Sequence, residues 1–220
     1  MMIQNGIGIV LKRTRHLEAD TRLTLFLKDQ GKVIATLKGG QKMGSKLRAV
    51  AEPFTEADFH LFLPPHGTFA RLIGGRLIDS HQHLRASYPA FETASRCCEV
   101  VDALLPYRAP SADVYDILRI SLQNLQNTTE PRIEWMVFLL NMLKKLGHGD
   151  HSMNILKLAG SAPSVSPFTS MLGIRAKALP SGPESLSDAS LNRCLTFLED
   201  RLSLILPAKL KAERIPALHV

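Results

Sequence analysis

The chain opens on apolar and polar residues that alternate with a period of two. Ile7, Ile9 and Leu11 alternate with Gly6, Gly8 and Val10, and Leu23, Leu25 and Leu27 alternate with Arg22, Thr24 and Lys28. Val33, Ala35 and Leu37 alternate with Lys32, Ile34 and Lys38. Side chains switch face at every residue of a strand, so this pattern predicts strands with one buried face. It assigns Ile7, Ile9 and Leu11 to the buried face of the first. Lys28-Asp29-Gln30-Gly31 carries turn chemistry and predicts a hairpin between the second and third. A long basic turn follows at residues 39–45. Phe59, Leu61 and Leu63 then alternate with Asp58, His60 and Phe62, and Pro64-Pro65-His66-Gly67 is another turn. Phe69 to Asp79 completes the set, with Gly74-Gly75 marking a bulge or bend.

After residue 85 the period becomes three to four, the mark of helices. Phe91, Ala94, Cys97/Cys98, Val101 and Leu104/Leu105 define one that ends at Pro106. Ser111 is the expected N-cap of a second, through Val114, Leu118, Leu122 and Leu125. Pro131 opens a third, holding Trp135, Phe138, Leu139, Met142 and Leu143 and stopping at Gly147. Residues 160–187 are rich in Ser, Pro and Gly and predict a loop, before a last helix from about Asp188 to Leu206. Strands followed by helices make the expected class α+β. Five short strands with basic loops fit an N-terminal five-stranded OB-fold β-barrel at residues 1–80, a fold that commonly binds single strands. An all-α helical domain is expected at 81–220, with 148–187 rich in loop.

The net charge of +7 sits entirely in the first fifty residues, where ten Lys/Arg face three acids. The remaining chain is neutral. A basic barrel ahead of a neutral body points to a polyanion, nucleic acid above all. The candidate DNA-binding residues are Lys12, Arg13, Arg15, Arg22, Lys32, Lys38, Lys42, Lys46 and Arg48. Phe26 shares parity with Arg22 and Lys28, so it is either a stacking platform or core. Phe54, Phe59, Phe62 and Phe69 are expected in the core. The longest apolar run, Met136 to Leu140, is far short of the ~18 residues of a membrane span. The opening residues show no signal-peptide pattern. Three cysteines make no disulfide framework, so a reducing cytoplasm is the expected home.

Lys38-Gly39-Gly40-Gln41-Lys42-Met43-Gly44-Ser45-Lys46 has a P-loop's glycine spacing but its Lys and Ser in the wrong order. A basic phosphate-contacting loop is the better reading. His81/His83, taken as a strand pair, and His148/His151 lack accompanying ligands, so neither metal nor any other cofactor is expected. No catalytic set emerges, and Glu199-Asp200 is taken as a solvated helix face.

An ordered set of stretches resembles one family. Gly8–Arg15, Glu18–Phe26 and Gly31–Gly39 are similar to its first three strands, and Glu52-Pro53-Phe54-Thr55 to the signature before its fourth. Cys98–Pro106 and Phe138–Gly147 are similar to two of its helices. The family is RecO, the bacterial recombination-repair mediators, and the likeness covers about residues 6–147. Many members carry a zinc-spaced cysteine cluster after the long helix. Here Gly147-His148-Gly149-Asp150-His151-Ser152 contains no cysteine. The resemblance implies a non-enzymatic, nucleoid-associated protein of DNA repair, homologous recombination and the RecF pathway. It implies binding of ssDNA and dsDNA, annealing of complementary strands, and loading of RecA with RecR onto DNA coated by single-stranded-DNA-binding protein (SSB). It also implies docking of the acidic SSB C-terminal tail on the helical domain. Arg119 and Arg132, beside apolar Trp135, Phe138, Leu139 and Leu143, are the partner-binding candidates. An OB-fold RNA-binding protein and a protein–protein adaptor are the alternatives.

Overall fold

A computed structural model of the chain describes residues 2–63, 69–151, 154–155, 158 and 187–207. The expected turn at Pro64–Gly67 and nearly all of the loop expected at 160–187 lie outside these residues. Five strands close into a barrel: β1 (Met2–His16), β2 (Asp20–Leu27), β3 (Gly31–Leu37), β4 (Glu56–Leu63) and β5 (Ala70–Asp79). Their order around it is β1-β2-β3-β5-β4. β1 is long because it serves two partners, pairing β4 through Met2–Ile9 and β2 through Gly8–His16. The ladders are antiparallel except β3–β5, which is parallel and holds only Ala35–Ala70 and Thr36–Arg71. This is the OB-fold.

Leu23, Leu25, Leu27, Ala35, Leu37, Phe59 and Leu61 fill the barrel as their alternation predicts. Of the residues expected on the buried face of β1, Ile9 and Leu11 are buried, but the face that turns into the barrel is the other one. Val10 joins that cluster, Ile7 is 44% exposed, and Ile9 is buried outside the cluster, on the strand that meets the first helix. Gly8 explains the reversal. It shares the parity of Val10 and stands opposite Leu27, where a Cβ would come within 2.6 Å of Leu27 Cδ2. An inward glycine makes room for a large neighbour, so hydropathy alone picks the wrong face. A bulge between Val10 and Lys12 then sets Arg13 rather than Lys12 opposite Leu23. It re-aims every basic residue that follows. The bulge expected at Gly74-Gly75 is present, where β5 shifts register between Gly74 and Leu72.

Four helices are given bounds among the described residues: α1 (Tyr88–Leu104), α2 (Ala112–Leu125), α3 (Pro131–Lys145) and α4 (Asp188–Ser203). The chain divides into two compact units, one built on Met1–Thr128 and the other on Thr129–Leu206. The first thus extends beyond the barrel to take in α1 and α2. Within it, Phe26 packs outside the barrel against Tyr115 of α2, ring centroids 5.8 Å apart. The Tyr115 hydroxyl donates to buried Glu56 Oε1 at 2.7 Å. Phe26, Phe54 and Phe59 are buried; Phe69 is 38% exposed and is not core. Cys97 and Cys98 are both buried in α1. His81 and His83 do not lie on a strand. His81, with a left-handed φ of 46°, precedes a 3₁₀ turn at Gln82–Arg85 and is fully buried, whereas His83 is exposed.

In the second unit α3 is buried nearly all round, from Glu134 through Leu140 and at Met142 and Leu143. Trp135, Phe138, Leu139 and Leu143 are therefore core. Glu199 of α4 is no solvated spectator: it accepts the Trp135 indole N–H at 2.8 Å. Leu191, Leu195, Leu198 and Leu202 form the buried stripe of α4, and Ser187 caps it by accepting the Ser190 amide. No helix among the described residues is long and apolar enough to cross a membrane.

Candidate nucleic-acid interface

The β1 bulge gives Arg13 and Arg15 the parity of the barrel interior at its open end, opposite Leu23 and Thr21. There the two side chains line a cleft of about 300 Å³ with Thr14, Thr21, Gln41 and Arg48. The loop after β3 forms one wall. Its base is tied to the β1–β2 turn: the Gly39 amide donates to Asp20 Oδ1 (2.8 Å), Gln41 Nε2 to the Asp20 carbonyl (2.8 Å) and the Gln41 amide to the Ala19 carbonyl (3.0 Å). Lys38, Lys42, Lys46 and Arg48 on this loop are exposed, as are Lys12 and Arg15 on β1. Of these six, only Arg48 faces a carboxylate among the described residues, Glu52 at 3.6 Å. Arg13 is more tightly held, paired with Glu52 and donating to the Gly40 carbonyl at 3.3 Å. The Thr21 hydroxyl is buried in the cleft wall with no hydrogen-bond partner. Three guanidiniums line this concave polar site; Arg13 and Arg48 share Glu52, and Arg15 faces no carboxylate among the described residues, so the cleft keeps the net positive charge and N–H donors that phosphate oxygens require. A three-residue 3₁₀ turn, Ala49–Ala51, follows the loop in place of a P-loop's helix.

Two basic residues of the barrel wall face helices instead. Lys32, expected to meet DNA phosphates, has its ammonium turned to α1 instead. It is 3% exposed, and its ammonium donates to the backbone carbonyl of Asp102 and to Asp102 Oδ1 (2.9 Å) on α1. An ammonium buried on the protein side needs a carboxylate, and α1 supplies it. Lys28 pairs with Asp116 of α2 at 3.5 Å. Lys12 has the outward parity opposite Thr24, away from the cleft. Arg22 is half-buried with its guanidinium 4.8 Å from the centre of the exposed Phe69 ring.

The two partner-binding candidates belong to different units. Arg119 lies within reach of Asp116 (3.8 Å) and Gln123 (3.2 Å) on its own helix. Arg132 pairs with Asp188 at 3.3 Å and donates to Asn192. No group of three or more His, Cys, Asp or Glu converges to hold a metal among the described residues. Sequence reasoning missed Thr14, Thr21 and Gln41, whose place in the cleft depends on the bulge and the tied loop. It also missed exposed Tyr107 and Arg108 in the α1–α2 connection; an aromatic–basic pair just after Pro106 was the available signal.

Fold and site together define an OB-fold protein with a cationic cleft at the barrel rim and helices to follow. The sequence profile described as "Recombination protein O N terminal" matches residues 1–81, and "Recombination protein O C terminal" matches 85–203. The chain belongs to the RecO family. A DNA repair protein RecO of Exiguobacterium sibiricum is 24% identical over 168 residues, covering 76% of this chain and 66% of that protein. One of Shouchella clausii is 28% identical over 146 residues (66% and 56%), and one of Listeria monocytogenes 26% over 140 (64% and 54%). The chain thus matches between about half and two thirds of the length of these relatives.

Proposed function

We propose that this protein binds single- and double-stranded DNA through the barrel rim and anneals complementary strands in DNA repair and homologous recombination. The observation that carries the proposal is the rim cleft, where Arg13, Arg15 and Arg48 meet beside a loop bearing three exposed lysines. Cations held there lower the repulsion between two phosphate backbones, and no bond need be made or broken. The protein then works as a mediator rather than a catalyst. Kinship supports the wider role: the relatives are named DNA repair proteins. We further propose that it acts in the cytoplasm at the nucleoid, meets the acidic SSB tail, and works with RecR to bring RecA onto coated strands.

The test is titration of labelled oligonucleotides over a salt series, followed by annealing of complementary strands precoated with SSB. Binding should weaken as salt rises, by about 0.7 log units per log unit of salt for each single-strand phosphate neutralised and about 0.9 for duplex. The triple variant Lys38→Glu, Lys42→Glu, Lys46→Glu should lose at least about tenfold in affinity and flatten the slope by about two units. Its urea midpoint should stay in place, because all three side chains are exposed. Unchanged affinity of that variant at moderate salt counts against the rim. Weak, salt-insensitive binding by the wild type favours an adaptor, and a clear preference for matched RNA favours an RNA-binding role.

A further inference from the structure

A second recess of about 460 Å³ opens on the barrel where β3 and β5 part, lined by Lys32, Val33, Ile34, Phe69, Ala70, Tyr107 and Arg108. Its makeup differs from the rim. Two aromatic rings line it, and both are exposed, Phe69 by 38% and Tyr107 by 54%. Each ring already has a cation on one face: the Arg22 guanidinium 4.8 Å from the Phe69 centre, and the Lys32 ammonium 4.4 Å from that of Tyr107. The remaining cationic side chain, Arg108, is exposed on the rim of the recess and has a left-handed φ of 58°. No carboxylate lines it.

The wall is held firmly. The Arg108 amide donates to the Lys32 carbonyl at 3.0 Å, and Tyr107 forms a parallel bridge with Lys32. Gly31 has a φ of 72°, and a Cβ there would stand 2.3 Å from the Ala109 carbonyl oxygen, so the connection lies directly on the start of β3. Between the Lys32–Tyr107 bridge and the Ala35–Ala70 pair, no described strand pairs with Val33 and Ile34 on the side away from β2.

We infer that this recess takes an unstacked nucleobase of single-stranded DNA, stacked on Phe69 or Tyr107 with its phosphates toward Arg108 and Arg22. An open ring backed by a cation suits a base, which offers a π face on an anionic chain. The volume is in the range of small-molecule sites. Arg22 ties the recess to the rim, since it pairs with Thr14 of the cleft across the β1–β2 ladder while stacking on Phe69 of the recess. The inference rests on the proposed DNA-binding role and adds a preference for strands whose bases are free.

The experiment compares one oligonucleotide with its abasic counterpart of equal length, against wild type, Phe69→Ala, Tyr107→Ala and Tyr107→Phe. Wild type should bind the base-bearing strand roughly tenfold or more tightly than the abasic one. At least one of Phe69→Ala and Tyr107→Ala should erase most of that ratio without altering abasic binding, and Tyr107→Phe should keep it. A 2-aminopurine placed in the strand should be quenched by wild type and less so by the alanine variant that erases the ratio. Equal affinity of wild type for both strands, or a ratio left intact by both alanine variants, overturns the base site. Either result leaves the rim reading standing if salt and the lysine reversals still weaken binding. Displacement of the base signal by an acidic, apolar-tipped peptide with no change in the ratio reassigns the recess to a protein partner and overturns it as well.

Discussion

The rim of the barrel and its helix-covered wall carry the same kind of residue to opposite ends. At the rim, Lys38, Lys42 and Lys46 stand exposed with no carboxylate facing them among the described residues. On the wall, Lys32 and Lys28 are answered by Asp102 and Asp116 from two helices. Both groups count equally toward the net charge of +7. Only the first is available to a polyanion. A charge total therefore locates a binding module but not its surface, because the neutralising acids arrive from 70 residues away in the case of Lys32 and Asp102.

The strongest way to sharpen that contrast is Lys32→Met, which keeps the length and apolar stem but removes the charge. It strands Asp102, whose side chain is 28% exposed and so recovers some hydration. The expected loss is about 2–3 kcal/mol of stability, below the roughly 3–5 of a fully buried broken pair. Urea unfolding should show it as a lower midpoint with an unchanged slope. The salt dependence of oligonucleotide binding by the folded protein should not move. If Lys32→Met flattened that dependence as much as a rim lysine does, the two regions would not be distinct.

Much of this was legible in the chain. The alternation of Leu23, Leu25 and Leu27, and of Phe59 and Leu61, set the inner face, and Gly74-Gly75 marked a bulge. The basic loop was visible as composition. Three things were not, each for a physical reason. Glycine carries no hydropathy, so Gly8 hid which face of β1 turns inward. The bulge after Val10 has no residue signature, yet it decides that Arg13 and Arg15 reach the cleft while Lys12 does not. Ion pairs between distant elements follow from packing, so nothing in a local window tells Lys32 from Lys38. Phe69 was misplaced for a related reason: its aromatic bulk suits a core, but an arginine cover lets it stay half in water.

A smaller effect should separate the buried polar contacts behind the wall from the rim. His81 is fully buried, with Nε2 3.5 Å from Asp79 Oδ2 and the Phe54 backbone beside the ring. Burial lowers its pKa below the ordinary 6.5, against the opposing pull of the Asp79 and Glu56 carboxylates. The unfolded chain then takes up a proton that the folded chain refuses. Stability should be full above pH 6.5 and fall as pH drops from there through the lowered folded value. His81→Asn tolerates the left-handed backbone and has nothing to titrate, so the difference between wild type and variant should grow with pH across that window. Urea midpoints from pH 5 to 7.5 measure it, and parallel curves would remove His81 from the account. DNA binding at constant pH should be the same in both.

Lys28→Gln should have the smallest effect and is the sharpest test of whether pairing silences a barrel cation. Lys28 and Asp116 are 41% and 42% exposed at the side chain, so their pairing is worth at most about 0.5 kcal/mol. Arg119 stays within 3.8 Å of Asp116 and keeps it company once Lys28 is gone. The urea midpoint should barely shift. If Asp116 already cancels this lysine, the salt slope of oligonucleotide binding should be flatter by far less than the ~0.7 of a phosphate contact. The reciprocal variant Asp116→Asn completes the argument. It frees Lys28 and Arg119 together, so binding should strengthen and its slope steepen. A steeper slope there, beside an unmoved one for Lys28→Gln, would mean that helix carboxylates set how far along the barrel a DNA strand can lie.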